Sequence, residues 1–111
     1  METIDTLREA IDSLFTEWEK LPRIPSDWKI VSVQDDQHGR YTLQHVSFTK
    51  DRYEARLLAY LEIRDGKIWI LTDNTEEGIA SELVAQGVSK DRIVLGFYSP
   101  RMREVGEFAV A

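Results

Sequence analysis

Cysteine is absent from this chain of 111 residues, which excludes disulfide bonds, cysteine-ligated metal centres and a thiol nucleophile. Histidine is scarce, since His38 in a predicted turn and His45 in a predicted strand lack the spacing of helix-borne zinc ligands. No apolar run approaches the ~20 residues that a membrane-spanning helix needs, and no basic-then-apolar leader opens the chain. We therefore expect one soluble, cytoplasmic domain over residues 1–111, without a bound metal or cofactor.

Motifs of familiar catalytic sites are also missing, including the G-x-S-x-G elbow and glycine-rich phosphate loops. Asp65-Gly66-Lys67 matches the D-x-K end of restriction-type nuclease sites, but a tight turn would not aim the acid and the lysine at one metal. Residues 73–78 resemble the opening of a calcium loop, but Val84 stands where the closing glutamate belongs. We therefore expect that this chain is not an enzyme. A cleft that holds acids of perturbed pKa would favour the alternative, a small enzyme with an unfamiliar site.

The charge balance is acidic, with 20 Asp and Glu against 14 Lys and Arg and a net charge of −6. Binding to a nucleic-acid backbone depends on Lys and Arg that neutralise phosphates, so this balance disfavours free-standing DNA binding. Only residues 38–72 contain more bases than acids, six against four. These bases form either a small patch or, as we favour, solvated charges at strand edges and turns. The residues concerned are Arg52, Arg56, Arg64 and Lys67.

The N-terminal part of the chain has the pattern of an amphipathic helix. Apolar residues recur every three or four positions from Ile4 to Trp18, with polar residues between them. The spacing predicts a helix over about residues 3–20. It ends before Pro22, because the residue before a proline is pushed out of the helical region.

Strand-like patterns follow the predicted helix. Runs rich in apolar residues cover Trp28–Gln34, Tyr41–Phe48 and Ile93–Phe97. In the second run the apolar residues change phase between Leu43 and Val46, which indicates a β-bulge or a strand buried on both faces.

The strongest local pattern is a β-hairpin between Tyr53 and Thr72. Apolar and other residues alternate over residues 53–64, and Asp65-Gly66 supplies the two positive-φ positions of a type I′ turn. With a two-residue loop, residues directly opposite share one face of the sheet. The pairs Leu61 with Ile70 and Ile63 with Ile68 therefore predict the core face.

The other face of this hairpin is unusually apolar for a solvent-exposed surface. The same register places Glu62 opposite Trp69 and Tyr60 opposite Leu71. We expect a face that mixes aromatic and aliphatic side chains with charges to be shielded from solvent by other protein atoms. Either another segment of the chain or another subunit supplies these atoms, and the second alternative predicts a homodimer.

A short second helix follows the hairpin. Asn74 and Glu77 have the spacing of a capping box at its start. Gly87 suits the left-handed position after its last turn, with Val88 as the apolar contact. The predicted fold is α+β, an N-terminal helix and a short second helix packed on a mainly antiparallel sheet of about five strands. The apolar residues 108–111 predict a docked C-terminus.

Several stretches of the second half together resemble the XisI family, the excision controlling factors of the cyanobacterial fdxN element. They are residues 66–70, 75–84, 93–97 and 108–111. The chain length and the helix that ends near a proline agree with that family. Departures lie in the first half, where Ser47-Phe48 replaces a frequent Gly-Trp pair and Ala55 and Tyr60 replace frequent histidines.

The resemblance implies an accessory factor that acts with a site-specific recombinase and a nuclease-like companion, XisH, in developmentally controlled DNA excision. It implies no catalytic residues. Two alternatives stay open: a DNA-contacting architectural factor, and an antitoxin-like inhibitor that covers a basic cleft of the companion. The candidate interaction surface comprises Tyr60, Trp69, Leu71, Arg101 and Arg103.

Overall fold

The computed structural model describes residues 2–21, 28–49 and 51–111. Its first element is α1 (Ile4–Glu19), 16 residues long, as predicted from the apolar spacing. The Thr3 hydroxyl accepts from the Thr6 N–H, and the Thr6 hydroxyl accepts from the Thr3 N–H, so the helix begins with a capping box. Pro22, the predicted end signal, lies outside the described residues.

In the described residues, five strands form one sheet in sequence order, and the first four pair antiparallel with one another. The last strand runs parallel to the fourth and is reached through a second helix. The predicted α+β fold with a mainly antiparallel sheet is confirmed. The elements are β1 (Trp28–Asp35), β2 (Arg40–Thr49), β3 (Arg52–Arg64), β4 (Lys67–Asp73), α2 (Ile79–Ala85), β5 (Ile93–Leu95) and α3 (Pro100–Arg103).

The hydrophobic core lies between the helices α1 and α2 and one face of the sheet. The apolar stripe of α1 packs there against alternate residues of β2, β3, β4 and β5. Burial of this apolar area is the main favourable term in folding. The largest side chains with essentially no solvent exposure in this cluster are Leu7, Ile11, Phe15, Tyr41, Leu43, Leu61, Ile68, Ile70, Ile79, Leu83 and Ile93.

The predicted β3–β4 hairpin is present. Asp65 and Gly66 have φ of 51° and 73°, which a type I′ turn requires, and Leu61 pairs with Ile70 as expected. The predicted pairing of Tyr60 with Leu71 is wrong, because the register shifts between Tyr60 and Leu61, and Tyr60 pairs with Thr72. The extra residue on β4 is a β-bulge, which alternation on one strand does not reveal.

The bulge predicted in β2 lies instead on the neighbouring strand: Leu43 pairs with Ala59 and Gln44 with Leu57, so the extra residue is Leu58 of β3. At the end of α2, Gly87 has φ of 100°, and the Val88 N–H donates to the Leu83 carbonyl at 3.1 Å. This is the predicted left-handed C-terminal cap.

The start of α2 differs from the prediction. Its N-cap is Gly78, without a side-chain cap, so the predicted capping box of Asn74 and Glu77 is wrong. Asp73 serves instead: its carboxylate accepts from the Thr75 N–H at 3.0 Å and from the Ile79 N–H at 2.7 Å. Asn74 faces the opposite way and donates to a carbonyl of β3.

Strand β3 is longer than its neighbour β4, which pairs with it only over residues 59–64. Residues 52–57 pair with β2 on one side, and no described strand lies on the other side. The four bases of the candidate patch therefore lie at the two ends of β3 and form no single patch: Arg52 and Arg56 at one end, Arg64 and Lys67 at the other. No described helix is long and apolar enough to cross a membrane.

Candidate interaction surfaces

The sheet face opposite the helices centres on Trp69 of β4. Two guanidinium groups lie over its indole ring, with the Arg64 Cζ 5.3 Å and the Arg103 Cζ 5.2 Å from the ring centroid. A cation over an indole face is attracted by the ring quadrupole. Arg64 comes from the neighbouring strand and Arg103 from α3, so Trp69 joins the sheet to the C-terminal part of the chain.

Arg103 fastens the C-terminal segment, residues 96–110, over this face. Its Nε donates to the Tyr98 carbonyl at 3.1 Å and its Nη1 to the Val110 carbonyl at 2.8 Å. The Ala109 N–H donates to the Ile93 carbonyl at 2.9 Å, which adds a parallel bridge beside β5. Of the two predicted kinds of cover, the structure shows a segment of the same chain, and the predicted docked C-terminus is confirmed.

The same face carries a polar row on β3. The Tyr60 hydroxyl donates to one oxygen of Glu62, and the Arg64 Nε donates to the other at 2.8 Å. The Tyr60 hydrogen bond holds the pKa of the Glu62 carboxyl below its usual range, and Arg64 adds to this. The same bond raises the pKa of the Tyr60 hydroxyl. The Glu62 carboxylate in this row is therefore an anion that accepts hydrogen bonds from two side chains.

Four of the five predicted surface residues meet on this face. Tyr60, Trp69 and Arg103 belong to the network above, and Leu71 lies beneath Gly96, where a Cβ would come within 2.6 Å of its side chain. Arg101 stays apart on the exposed side of α3, without an ion pair to a described residue. The predicted surface did not include Glu62, although the predicted register placed it opposite Trp69 on this face, and it did not include Arg64, which alternation along β3 places there too.

Five large apolar side chains of the C-terminal segment are exposed. Met102 is 52% exposed and Val105 is 81% exposed, and the Phe97 and Tyr98 rings contact each other with centroids 4.7 Å apart. Large exposed apolar patches on a protein surface mark interaction sites. We call these residues, Phe97, Tyr98, Met102, Val105 and Val110, the C-terminal patch.

A second feature is an acidic groove of about 390 Å³ between the end of α1 and the start of α2. The Trp18 indole N–H donates to Glu82 at 3.2 Å on one wall. Burial raises the pKa of the Glu82 carboxyl, and the carboxylates of Glu77, Asp73 and Glu17 add to the rise against the Trp18 hydrogen bond. The residues that line the groove are Glu17, Trp18, Leu21, Glu76, Glu77 and Glu82.

This groove is the kind of cleft that would favour an enzyme, since it holds an acid of perturbed pKa. The described residues that line it offer carboxylates and apolar side chains, and none of them is a histidine, a lysine or a hydroxyl residue that could act as nucleophile or base. Over the described ranges, no three His, Asp or Glu side chains are grouped to hold a metal ion. The groove is suited to receive a cationic side chain.

Residues 1–110 match a family model that is described as XisI protein. The chain belongs to the XisI family. The resemblance that its second half shows is thereby confirmed over nearly the full length. Among curated proteins, none matches this chain.

Solved structures that are similar to this XisI-family chain include two from one organism. One is a XisI-like protein from Anabaena variabilis ATCC 29413, with 27% sequence identity and a TM-score of 0.84 over 97% of this chain and 99% of that one. The other is the fdxN element excision controlling factor XisI from the same organism, with 27% identity and a TM-score of 0.74 over 97% and 98%. Both relatives are cyanobacterial and span the same length as this chain.

Proposed function

We propose that this chain is a non-enzymatic control factor that binds a nuclease-like protein of the XisH type and so acts with a site-specific recombinase in the excision of a DNA element. The observation that carries the proposal is the XisI family match over residues 1–110. A structural relative that is itself an fdxN element excision controlling factor supports it.

The surface chemistry favours a protein partner over DNA. The net charge of −6 repels a phosphate backbone. Of the bases that a DNA-contacting factor would use, Arg103 is bound to two carbonyls and Arg64 to Glu62. The C-terminal patch instead offers apolar area beside the cation Arg101. We assign the companion to this patch, because apolar area surrounded by charge is typical of a binding surface.

The test is co-purification of this chain with the nuclease-like companion encoded beside its gene. We expect a stoichiometric complex that survives moderate salt, since apolar contacts are not screened. Met102→Glu places a charge in the C-terminal patch and weakens the complex by at least about tenfold. The matched control is Val33→Glu on β1, where the side chain is 57% exposed and far along the sheet from α3.

Two results would count against the proposal. A chain that never forms the complex, yet is retained on DNA in a salt-sensitive way, would favour the DNA-contacting architectural factor. If Met102→Glu and Val33→Glu weaken the complex equally, the C-terminal patch is not the binding surface. The companion itself would still be the partner.

The antitoxin-like alternative is favoured by one specific observation, the acidic groove between α1 and α2. A carboxylate-lined groove with an indole wall complements the basic, DNA-binding cleft of a nuclease. If the groove covers such a cleft, the bound companion loses DNA binding, and the double substitution Glu76→Lys with Glu77→Lys restores it. A companion that binds DNA equally well in the complex would exclude inhibition.

A further inference from the structure

The C-terminal segment covers the sheet face around Trp69 but buries little of itself. Of its large apolar side chains, Phe108 alone packs against the core, and it stays partly exposed. The others form the exposed C-terminal patch. Helix α2 is a contrast, since it is shorter and yet buries Ile79, Ala80 and Leu83. Regions with few buried apolar contacts open more readily than the core of a protein.

Beyond its local turns, the segment is joined to the strands of the described chain by one backbone hydrogen bond near each end. The Phe97 N–H donates to the Ile70 carbonyl at 3.2 Å, and the Ala109 N–H donates to the Ile93 carbonyl at 2.9 Å. Between these two points, Glu107 forms an ion pair at 3.1 Å with a lysine of the preceding turn, and both side chains are exposed. An exposed ion pair contributes little to stability. Few polar contacts therefore have to break for the segment to leave the sheet.

Arg103 makes the segment a single unit. Its guanidinium donates to the Tyr98 carbonyl near the start of the segment and to the Val110 carbonyl near its end. The same guanidinium lies 5.2 Å from the centroid of the Trp69 ring. The segment is thus a closed loop that rests on Trp69 through one side chain, so we expect its residues to separate from the sheet together.

The sheet face beneath the segment carries both a gain and a cost of closure. Val94 is the neighbour of Trp69 in the sheet, and it is fully buried although it does not belong to the core cluster. The Trp69 indole N–H is also buried, and it has no acceptor among the described residues. A buried donor without an acceptor is unfavourable, and water satisfies such a donor when it becomes accessible. Closure therefore buries apolar area while it leaves one hydrogen bond unmade.

We propose that the C-terminal segment is a detachable cover, which opens as one unit and exposes the Trp69 face while the rest of the fold stays intact. The closed state presents the C-terminal patch to solvent, whereas the open state presents Trp69 and Val94. A homodimer through this face, which the sequence predicts, requires the open state. Opening is a property of the chain alone, so it does not depend on the companion.

Native-state hydrogen exchange of the whole chain, followed by NMR, tests the proposal. The three probes are the Phe97 amide, the Ala109 amide and the Trp69 indole N–H. The reference is the set of slowest backbone amides of β2, a central strand. After correction for intrinsic rates, we expect the probes to exchange at least about 100-fold faster than the reference, with one shared opening constant.

A core substitution separates opening of the segment from unfolding of the whole chain. Ile11 of α1 is fully buried, and Ile11→Val weakens the core equally in the closed and the open state. It should therefore speed the exchange of the β2 amides about two- to tenfold and leave the three probes unchanged. Probes that accelerate together with the β2 amides would show that they exchange by global unfolding, which overturns the proposal.

Arg103→Ala removes the contacts that close the loop and rest it on Trp69, so it should speed the exchange of all three probes about tenfold. Protected β2 amides show that the variant is folded. The matched control is Arg101→Ala, which removes the same charge from the same short helix, at an exposed position without an ion pair to a described residue. It should leave the probes unchanged.

Three further results overturn the proposal. One is a Trp69 indole that exchanges no faster than the β2 amides. Another is fast exchange of the Ala109 amide alone, since this would be fraying of the chain end. The third is an equal effect of Arg101→Ala and Arg103→Ala, because the segment would then not be held through Arg103.

Discussion

At the scale of single residues, Gly96 shows why the C-terminal segment fits so closely on the sheet. A Cβ at this position would lie 2.6 Å from the Leu71 side chain and 3.1 Å from the Ile70 carbonyl oxygen. The flexible end of Leu71 can shift, but the backbone oxygen cannot follow easily. We predict that Gly96→Ala lowers the free energy of unfolding by about 1–3 kcal/mol, as overpacking does elsewhere, measured by urea denaturation.

Gly106 provides the comparison for this substitution. It lies in the same segment, and a Cβ there would be 3.7 Å from the Arg103 carbonyl oxygen, an ordinary contact distance. Gly106→Ala should change the free energy of unfolding by less than about 0.5 kcal/mol. Equal losses in the two variants would mean that the segment does not pack on Leu71 as described.

On the sheet face around Trp69, the sequence could predict only those residues that belong to a local pattern. Alternation along β3 identified Tyr60, and the two-residue turn placed Trp69 across from Glu62. The position of Arg103 over Trp69 depends on a contact between residues far apart in the chain, for which no periodic signal exists. The cover of this face was therefore left open between a chain segment and a second subunit.

At the scale of elements, patterns that repeat over several residues predicted the structure best. Helix α1 and the β3–β4 hairpin have strong periods, and both lie where expected. Single-residue events were harder to predict. The register shift between Tyr60 and Leu61 depends on how two strands pair, and the four-residue helix α3 is too short for a periodic signal.

Helix α2 allows a direct comparison of the sequence prediction with the structure. In the structure, Asp73 holds the free N–H groups of Thr75 and Ile79 at the start of this helix. Asp73→Ala leaves both donors without their acceptor, so the free energy of unfolding should fall by about 0.5–2 kcal/mol, measured by thermal or urea unfolding.

Glu77→Ala distinguishes the predicted capping box from the hydrogen bonds to Asp73 as the feature that stabilises the start of α2. A capping box would require the Glu77 carboxylate, and its loss would then be destabilising. In the structure Glu77 instead raises the pKa of Glu82 through like charge. The variant should therefore be as stable as the parent or slightly more stable at neutral pH. A loss of unfolding free energy as large as that of Asp73→Ala would instead support the capping box.

At the scale of the whole molecule, two carboxyls link the acidic charge of the chain to its stability in opposite directions. The pKa of Glu62 is lowered, so its contribution to stability is present above the unfolded pKa and lost as pH falls through the folded one. The pKa of Glu82 is raised, so folding favours its protonated form. That contribution is present below the unfolded pKa and lost as pH rises through the folded one.

The same substitution at these two positions should therefore have effects of opposite sign at neutral pH. Glu62→Gln removes the ion pair with Arg64 and lowers stability, whereas Glu82→Gln keeps an acceptor for the Trp18 indole, removes a charge held among other carboxylates and raises stability. Both differences should shrink as the pH falls and the parent carboxyls become protonated, because the glutamine side chain resembles the neutral acid. Urea unfolding across the acid range measures this directly. A Glu82→Gln variant that is less stable than the parent at neutral pH would show that its charge is solvated and that the groove does not concentrate negative potential for a cationic partner.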